Sequence, residues 1–255
     1  MDKKLLSEMF DNLLHIGNKT NYWFPTMKAF IYGTSNGVHI IDLTKTVQQL
    51  DLVKTVLADA HTSGKKILFV ATKLQSRTAF SELAEKAGHY YVTEKWVPGL
   101  LTNFKTIKKR IATYVRLEKE AANGSLDILT KKEKATKLLE LEKLDKAFKW
   151  VKDMKKTPDI IFVVDSAYED QAVKEAKSLR LPVYGICNTN SDPYLLHEAI
   201  PANTNSVKSL DYLATNLASA LTGTIKKAPT KTATKPLVRK PRPAASKETA
   251  TQENQ

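Results

Sequence analysis

The apolar residues of this chain fall into two rhythms that alternate along its length. Leu5, Leu6, Met9, Phe10, Leu13 and Leu14 recur at steps of three and four, which predicts an amphipathic helix ending near Gly17. Residues 29–33 and 38–41 are short apolar runs separated by Thr34-Ser35-Asn36-Gly37, and the Asn-Gly pair is a strong hairpin signal. From Thr44 the stripe Val47, Leu50, Val53, Val56 and Leu57 predicts a helix. Gly64-Lys65-Lys66 breaks it, and residues 67–71 follow as a strand. A helix over about 75–87 and a strand over 89–92 continue a βαβ rhythm, which calls for a largely parallel sheet.

At residue 102 that rhythm stops. Ile107, Ile111, Tyr114 and Val115 share one helical face up to about residue 122, while Lys105, Lys108, Lys109, Arg110 and Arg116 populate the others. Asn123-Gly124-Ser125 ends this helix, and Thr130-Lys131-Lys132-Glu133 has the form of a capping box. Leu138, Leu141, Leu144, Phe148 and Val151 then stripe a second helix to about Met154. Two long helices with narrow apolar stripes and a short break predict an antiparallel hairpin projecting from the sheet.

The sheet resumes at Asp159. Residues 160–164 are apolar, rich in β-branching and followed by Asp165, the pattern of a strand buried on both faces with its polar end at the sheet's carboxyl edge. A helix over 168–179 and a strand over 182–187 lead into Asn188-Thr189-Asn190-Ser191-Asp192-Pro193, a polar turn where open α/β sheets bind ligands. A final helix spans about 206–221. The expected fold class is therefore α/β, with a doubly wound, largely parallel sheet built from residues 1–101 and 155–222. An antiparallel helical hairpin is inserted at 102–154. A basic tail at 223–255 has only Ile225, Leu237 and Val238 as large aliphatics, too little apolar surface to order it.

Charge narrows the function. The 255 residues carry a formal net charge of +13. Residues 223–255 hold eight Lys or Arg against Glu248 and Glu253, so about +7 remains on residues 1–222. That balance favours a polyanionic partner, nucleic acid before membrane. Only six of the forty bases are arginines, so phosphate neutralisation should outweigh bidentate base reading. No apolar run approaches a membrane-spanning length, and the single Cys187 has no disulfide partner. A soluble cytoplasmic chain is expected, with no membrane partner and no homo-oligomer.

Catalytic patterns are near misses. No Gly-x-Gly-x-x-Gly follows a predicted strand, and Gly17-Asn18-Lys19-Thr20 lacks the upstream glycine of a phosphate loop. Thr72-Lys73-Leu74-Gln75 has Gln75 where a guanine-reading motif needs a carboxylate. His15, His39, His61, His89 and His197 lack metal-ligand spacing, so no metal or cofactor is expected. Asp165 and Asp192 fall at one predicted edge. They read either as the acid, base or cation ligands of a small-molecule or nucleotide-binding enzyme, or as caps of the following helix and turn. Residues 18–28 mix lysine with Tyr22, Trp23 and Phe24, which suits base stacking on RNA and equally suits a loop packed on the core.

Several segments together resemble a known family. His15-Ile16-Gly17, Tyr22-Trp23-x-Pro25-x-Met27-Lys28, Phe30-Ile31-x-Gly33, Val38-His39-Ile40-Ile41-Asp42-Leu43-x-Lys45-Thr46, Leu101-Thr102-Asn103-Phe104-Lys105-Thr106, Pro158-Asp159 and the turn at 188–193 are similar, in order, to the bacterial small-subunit ribosomal protein two family over roughly residues 1–222. The resemblance implies a flavodoxin- or Rossmann-like domain with an inserted hairpin, and a structural, non-enzymatic role between the head and body of the small subunit. The partners it implies are small-subunit ribosomal RNA and neighbouring ribosomal proteins, among them the largest small-subunit protein, which captures messenger RNA. Three departures stand out: Asn18 where a second histidine is common, Val97-Pro98-Gly99 in place of a Gly-Gly turn, and Asn188 where an aspartate is common. Candidate RNA contacts are Lys19, Tyr22, Trp23 and Lys28 near the amino terminus, with Trp96, Asn103, Lys105, Lys108, Lys109 and Arg110 at the hairpin base contacting RNA or bracing those contacts.

Overall fold

The computed structural model describes residues 3–222, so the tail expected to be disordered lies outside the described residues. The chain opens with helix α1 (Lys3–Asp11), then strands β1 (Ile16–Lys19), β2 (Ile31–Ser35) and β3 (Val38–Ile41). These three strands form an antiparallel sheet in the order β1-β3-β2. Asn36 and Gly37 turn the hairpin with φ of 50° and 73°, the two left-handed residues that such a two-residue turn requires. Next come α2 (Leu43–Thr62), β4 (Ile67–Val70), α3 (Arg77–Lys86) and β5 (Tyr90–Val92). The hairpin helices α4 (Phe104–Ala122) and α5 (Lys131–Phe148) follow, and then β6 (Ile160–Val164), α6 (Asp170–Ser178), β7 (Val183–Cys187), β8 (Glu198–Pro201) and α7 (Val207–Ala220).

Strands β4 to β8 make one parallel sheet in the order β5-β4-β6-β7-β8. Counted from β4 this is 2-1-3-4-5, the flavodoxin-like order, whose switch point falls between β4 and β6. All five residues of β6 are buried, as an apolar run between two helical layers requires. Alternate residues serve opposite cores. Phe69 and Phe162 join Val53, Leu57, Phe80 and Leu213 on one face, while Leu68, Val70 and Val163 join Ile107, Tyr114 and Val173 on the other. Gly185 in β7 admits no larger residue, because a Cβ there would strike the carbonyl oxygen and a methyl of Val163.

The hairpin helices run antiparallel. The Tyr114 hydroxyl donates to Asp145 at 2.6 Å and Lys137 pairs with Glu120 at 3.3 Å, so positions rise along α4 as they fall along α5. Thr130 and Glu133 form the expected reciprocal cap. Leu138, predicted for the buried stripe, is exposed, and the α4 contact is carried by Leu141, Leu144 and Phe148 nearer the sheet.

The amino-terminal expectation needs correction. α1 ends at Asp11, short of Gly17, and Leu13 turns the chain with a φ of 62°. The chain then runs as β1 along β3. Its neighbours hold it there: the Leu14 carbonyl accepts from the Asn203 N–H at 3.1 Å and the His15 carbonyl from the Ile41 N–H at 2.7 Å. β8 has no counterpart in the sequence reading, because it is short and ends in Pro201 at the sheet edge. Among the described residues, no helix is long and apolar enough to cross a membrane.

Candidate nucleic-acid interface

At the carboxyl end of the sheet the amino-terminal segment docks onto the turn after β7. The Thr189 side-chain oxygen accepts from the Asn18 N–H at 2.8 Å, and the Thr189 carbonyl accepts from the Phe24 N–H at 2.8 Å. Thr26 donates to Asp192 at 2.9 Å, and Asp192 also accepts from the Tyr194 N–H at 3.1 Å. Gly17 is needed for this approach, since a Cβ would stand 2.7 Å from the Thr189 methyl. The bonds fix the short helical turn Pro25–Phe30. Tyr22 is 66% exposed and Trp23 37% exposed, the latter tilted over the buried His39 with ring centroids 5.3 Å apart. Lys19 and Lys28 are both exposed.

The hairpin base is held by one buried carboxylate. Glu175 of α6 accepts from Trp96 Nε1–H at 3.0 Å, from the backbone N–H of Gly99 at 2.8 Å and Leu101 at 3.1 Å, and from both the N–H and hydroxyl of Thr102 at 3.3 Å. Burial pushes this carboxyl's pKa up, but the bonds from Trp96, Gly99, Leu101 and Thr102 outweigh it and hold it below the ordinary value. Trp96 is therefore 7% exposed and sits inside the loop, positioned to brace it. Asn103, Lys105, Lys108, Lys109 and Arg110 are exposed just beyond.

These bases differ from others on the hairpin. Arg116, Lys137, Lys146 and Lys152 each pair with a glutamate of the same hairpin. Lys105, Lys108, Lys109 and Arg110, like Lys19 and Lys28, show no acidic partner among the described residues. Their charge is left for solvent or for an anion.

The switch point between β4 and β6, where this fold most often binds a ligand, is filled by the chain's own side chains. Lys73 Nζ lies 2.7 Å from Asp165 Oδ2 and 2.6 Å from Asn205 Oδ1, and the Thr204 hydroxyl donates to the same Asp165 oxygen at 2.7 Å. Asn205 Nδ2–H continues the chain of bonds to Asn18 at 3.1 Å. Beside them the buried Glu169, whose pKa burial raises, accepts at 2.7 Å from both the backbone and hydroxyl of Thr72. Asp165 and Asp192 are thus both engaged in internal bonds. Among the described residues no group of three or more His, Cys, Asp or Glu is arranged to hold a metal.

Comparison with known proteins decides the family. The model of ribosomal protein S2 matches residues 9–223. The chain belongs to the ribosomal protein S2 family. It is 42% identical over 216 residues to the small ribosomal subunit protein uS2 of Coprothermobacter proteolyticus, covering 85% of this chain and 81% of that one. It is 39% identical over 216 residues to the protein of the same name from Gloeobacter violaceus, covering 85% and 79%. Membership makes the chain a component of the small ribosomal subunit, and hence of a cytoplasmic ribonucleoprotein that carries out translation. The family is one of structural ribosomal proteins. The sequence reading missed the amino-terminal docking contacts and Glu175, because their partners lie far away in the chain.

Proposed function

We propose that this chain binds small-subunit ribosomal RNA through the carboxyl end of its sheet, between head and body, and does so without catalysis. The observation that supports this is the set of exposed bases without acidic partners, Lys19, Lys28, Lys105, Lys108, Lys109 and Arg110, on two segments that Asp192, Thr189 and Glu175 hold in place. Tyr22 and Trp23 would stack on unpaired bases, Trp96 braces the loop and Asn103 reaches the RNA from its rim. Lysine contacts imply steep salt dependence. Replacing Lys105, Lys108 and Lys109 with Ala should weaken binding to isolated small-subunit RNA and flatten the log affinity against log salt slope by about two to three. Unchanged affinity and slope would remove the hairpin base from the interface.

Protein neighbours, including the largest small-subunit protein, are assigned to a groove of about 390 Å³ lined by Leu6, Phe10, His15, Tyr32, Ile40 and Leu43. Phe10 stacks on His15 there, with ring centroids 4.1 Å apart, so an aromatic floor is already in place. Replacing Tyr32 with Ala should lower recovery of a protein neighbour with purified subunits while leaving RNA affinity intact. Equal recovery would exclude the groove as that surface.

A further inference from the structure

Residues 102–154 carry fourteen Lys or Arg against eight Asp or Glu, so +6 of the +7 on residues 1–222 belongs to the hairpin. Within the hairpin the charge is sorted by helix face. Lys105, Lys108, Ala112, Arg116 and Lys119 follow one another at steps of three and four, with Lys109 beside them, and all six are exposed. They make one stripe along α4, on the side away from the buried Ile107, Ile111, Tyr114 and Leu117. At 1.5 Å per residue the stripe from Lys105 to Lys119 is about 21 Å long. We infer that it lies along the phosphate backbone of a double-helical segment of the ribosomal RNA. This rests on the RNA-binding function proposed above, and it extends the contact by Arg116 and Lys119 from the hairpin base towards the hairpin turn.

What the stripe lacks specifies the partner. The two acids of α4 are engaged elsewhere on the hairpin: Glu118 pairs with Lys152 at 3.5 Å and Glu120 with Lys137 of α5 at 3.3 Å. Arg116 reaches Glu120 only at 3.6 Å with its side chain 69% exposed, a pair worth little in water. Lys119 shows no acidic partner among the described residues. No aromatic ring stands on the stripe, so it cannot stack unpaired bases as single-strand binders do. A double helix is recognised instead through its shape and its phosphates, which a straight row of cations on a rigid helix can meet. Ala112, at the middle of the stripe, is short enough to let the RNA backbone approach. The outer face of α5 is unlike this: there Lys132, Lys143 and Lys146 alternate with the exposed Leu139, Glu140 and Glu142, and Lys146 is paired with Glu142.

Variants of the full chain with isolated small-subunit RNA test this. Arg116→Ala with Lys119→Ala should weaken binding about fivefold or more and flatten the slope of log affinity against log salt by about one to two. Ala112→Glu should weaken it too, because the new carboxylate pairs with Lys108 and Arg116, four residues to either side, and repels phosphate. Its exposed site should leave thermal unfolding unchanged. Lys132→Ala with Lys143→Ala, on α5, should bind as the parent does. On a plain RNA duplex of about 16 base pairs, the loss caused by Arg116→Ala with Lys119→Ala should exceed the loss on either strand alone. Equal losses on duplex and single strand, or an equal loss from the α5 pair, overturn the inference. So does affinity within about twofold of the parent for both α4 variants while the three-lysine variant binds weakly, an outcome that spares the RNA-binding reading. If the parent chain binds no small-subunit RNA at all, both readings fall together.

Discussion

Lys73 Nζ sits 2.7 Å from Asp165 Oδ2, joining the loop after β4 to the end of β6 across the crevice where related folds bind ligands. Asp165 is buried, with a φ of 74°, and the Lys73 side chain is only 16% exposed. Removing one partner leaves a buried charge without compensation. Lys73→Met should therefore cost about 3–5 kcal/mol in urea unfolding, and adding Asp165→Asn should restore part of it. A loss below about 1 kcal/mol for Lys73→Met would mean that the pair carries little.

Glu175 gives the hairpin base an acid limb. Its folded pKa is depressed, so its stabilisation is complete above the ordinary glutamate range and is lost as pH falls through the folded value. The loop at 96–102 should loosen on that acid limb, visible as solvent exposure of Trp96 in its fluorescence. Glu175→Gln should remove this pH dependence and lower stability at neutral pH. An acid limb identical in the variant would assign it to other carboxylates.

His61 Nδ1 and His89 Nε2 lie 3.1 Å apart in the core. Burial first, then the charges of His61 and Lys66, lowers the His89 pKa from 6.5 to about 4. The folded chain holds this proton less tightly than the unfolded one, so stability is full above pH 6.5 and declines as pH falls towards 4. Thermal unfolding at pH 7 and pH 5 should show a larger drop for the parent than for His89→Gln. Equal drops would exclude the pair as the source.

Gly17→Ala should destabilise the chain by about 1–3 kcal/mol through the clash with the Thr189 methyl. Adding Thr189→Ser removes that methyl, keeps the oxygen that accepts from Asn18, and should recover part of the loss. Failure of the second change to help would shift the cause to the His39 carbonyl, 3.0 Å from the same Cβ.

Much of the fold was legible because its signals are local. Asn36-Gly37 marks its hairpin within two residues, Thr130 and Glu133 cap α5 within one turn, and residues 160–164 announce a buried strand by composition alone. What was illegible depends on distant partners. Ile16-Gly17-Asn18-Lys19 has too few apolar residues to announce a strand, and β3 makes it one. Lys73 reads only as part of a guanine-reading motif that fails at Gln75, until Asp165, 92 residues on, is placed beside it. The candidate bases were readable by charge, but Glu175, on the exposed-looking side of a short helix, gave no sign that it positions them.

The link from Trp96 to Glu175 spans 79 residues and encloses the whole hairpin. During synthesis α4 and α5 are made before the carboxylate that aims them. The two helices can zip together from their own local contacts, but the direction in which they point is settled only when α6 docks beside β6. The base of the hairpin is thus completed late, so a nascent chain halted before α6 would carry a formed arm with no fixed heading.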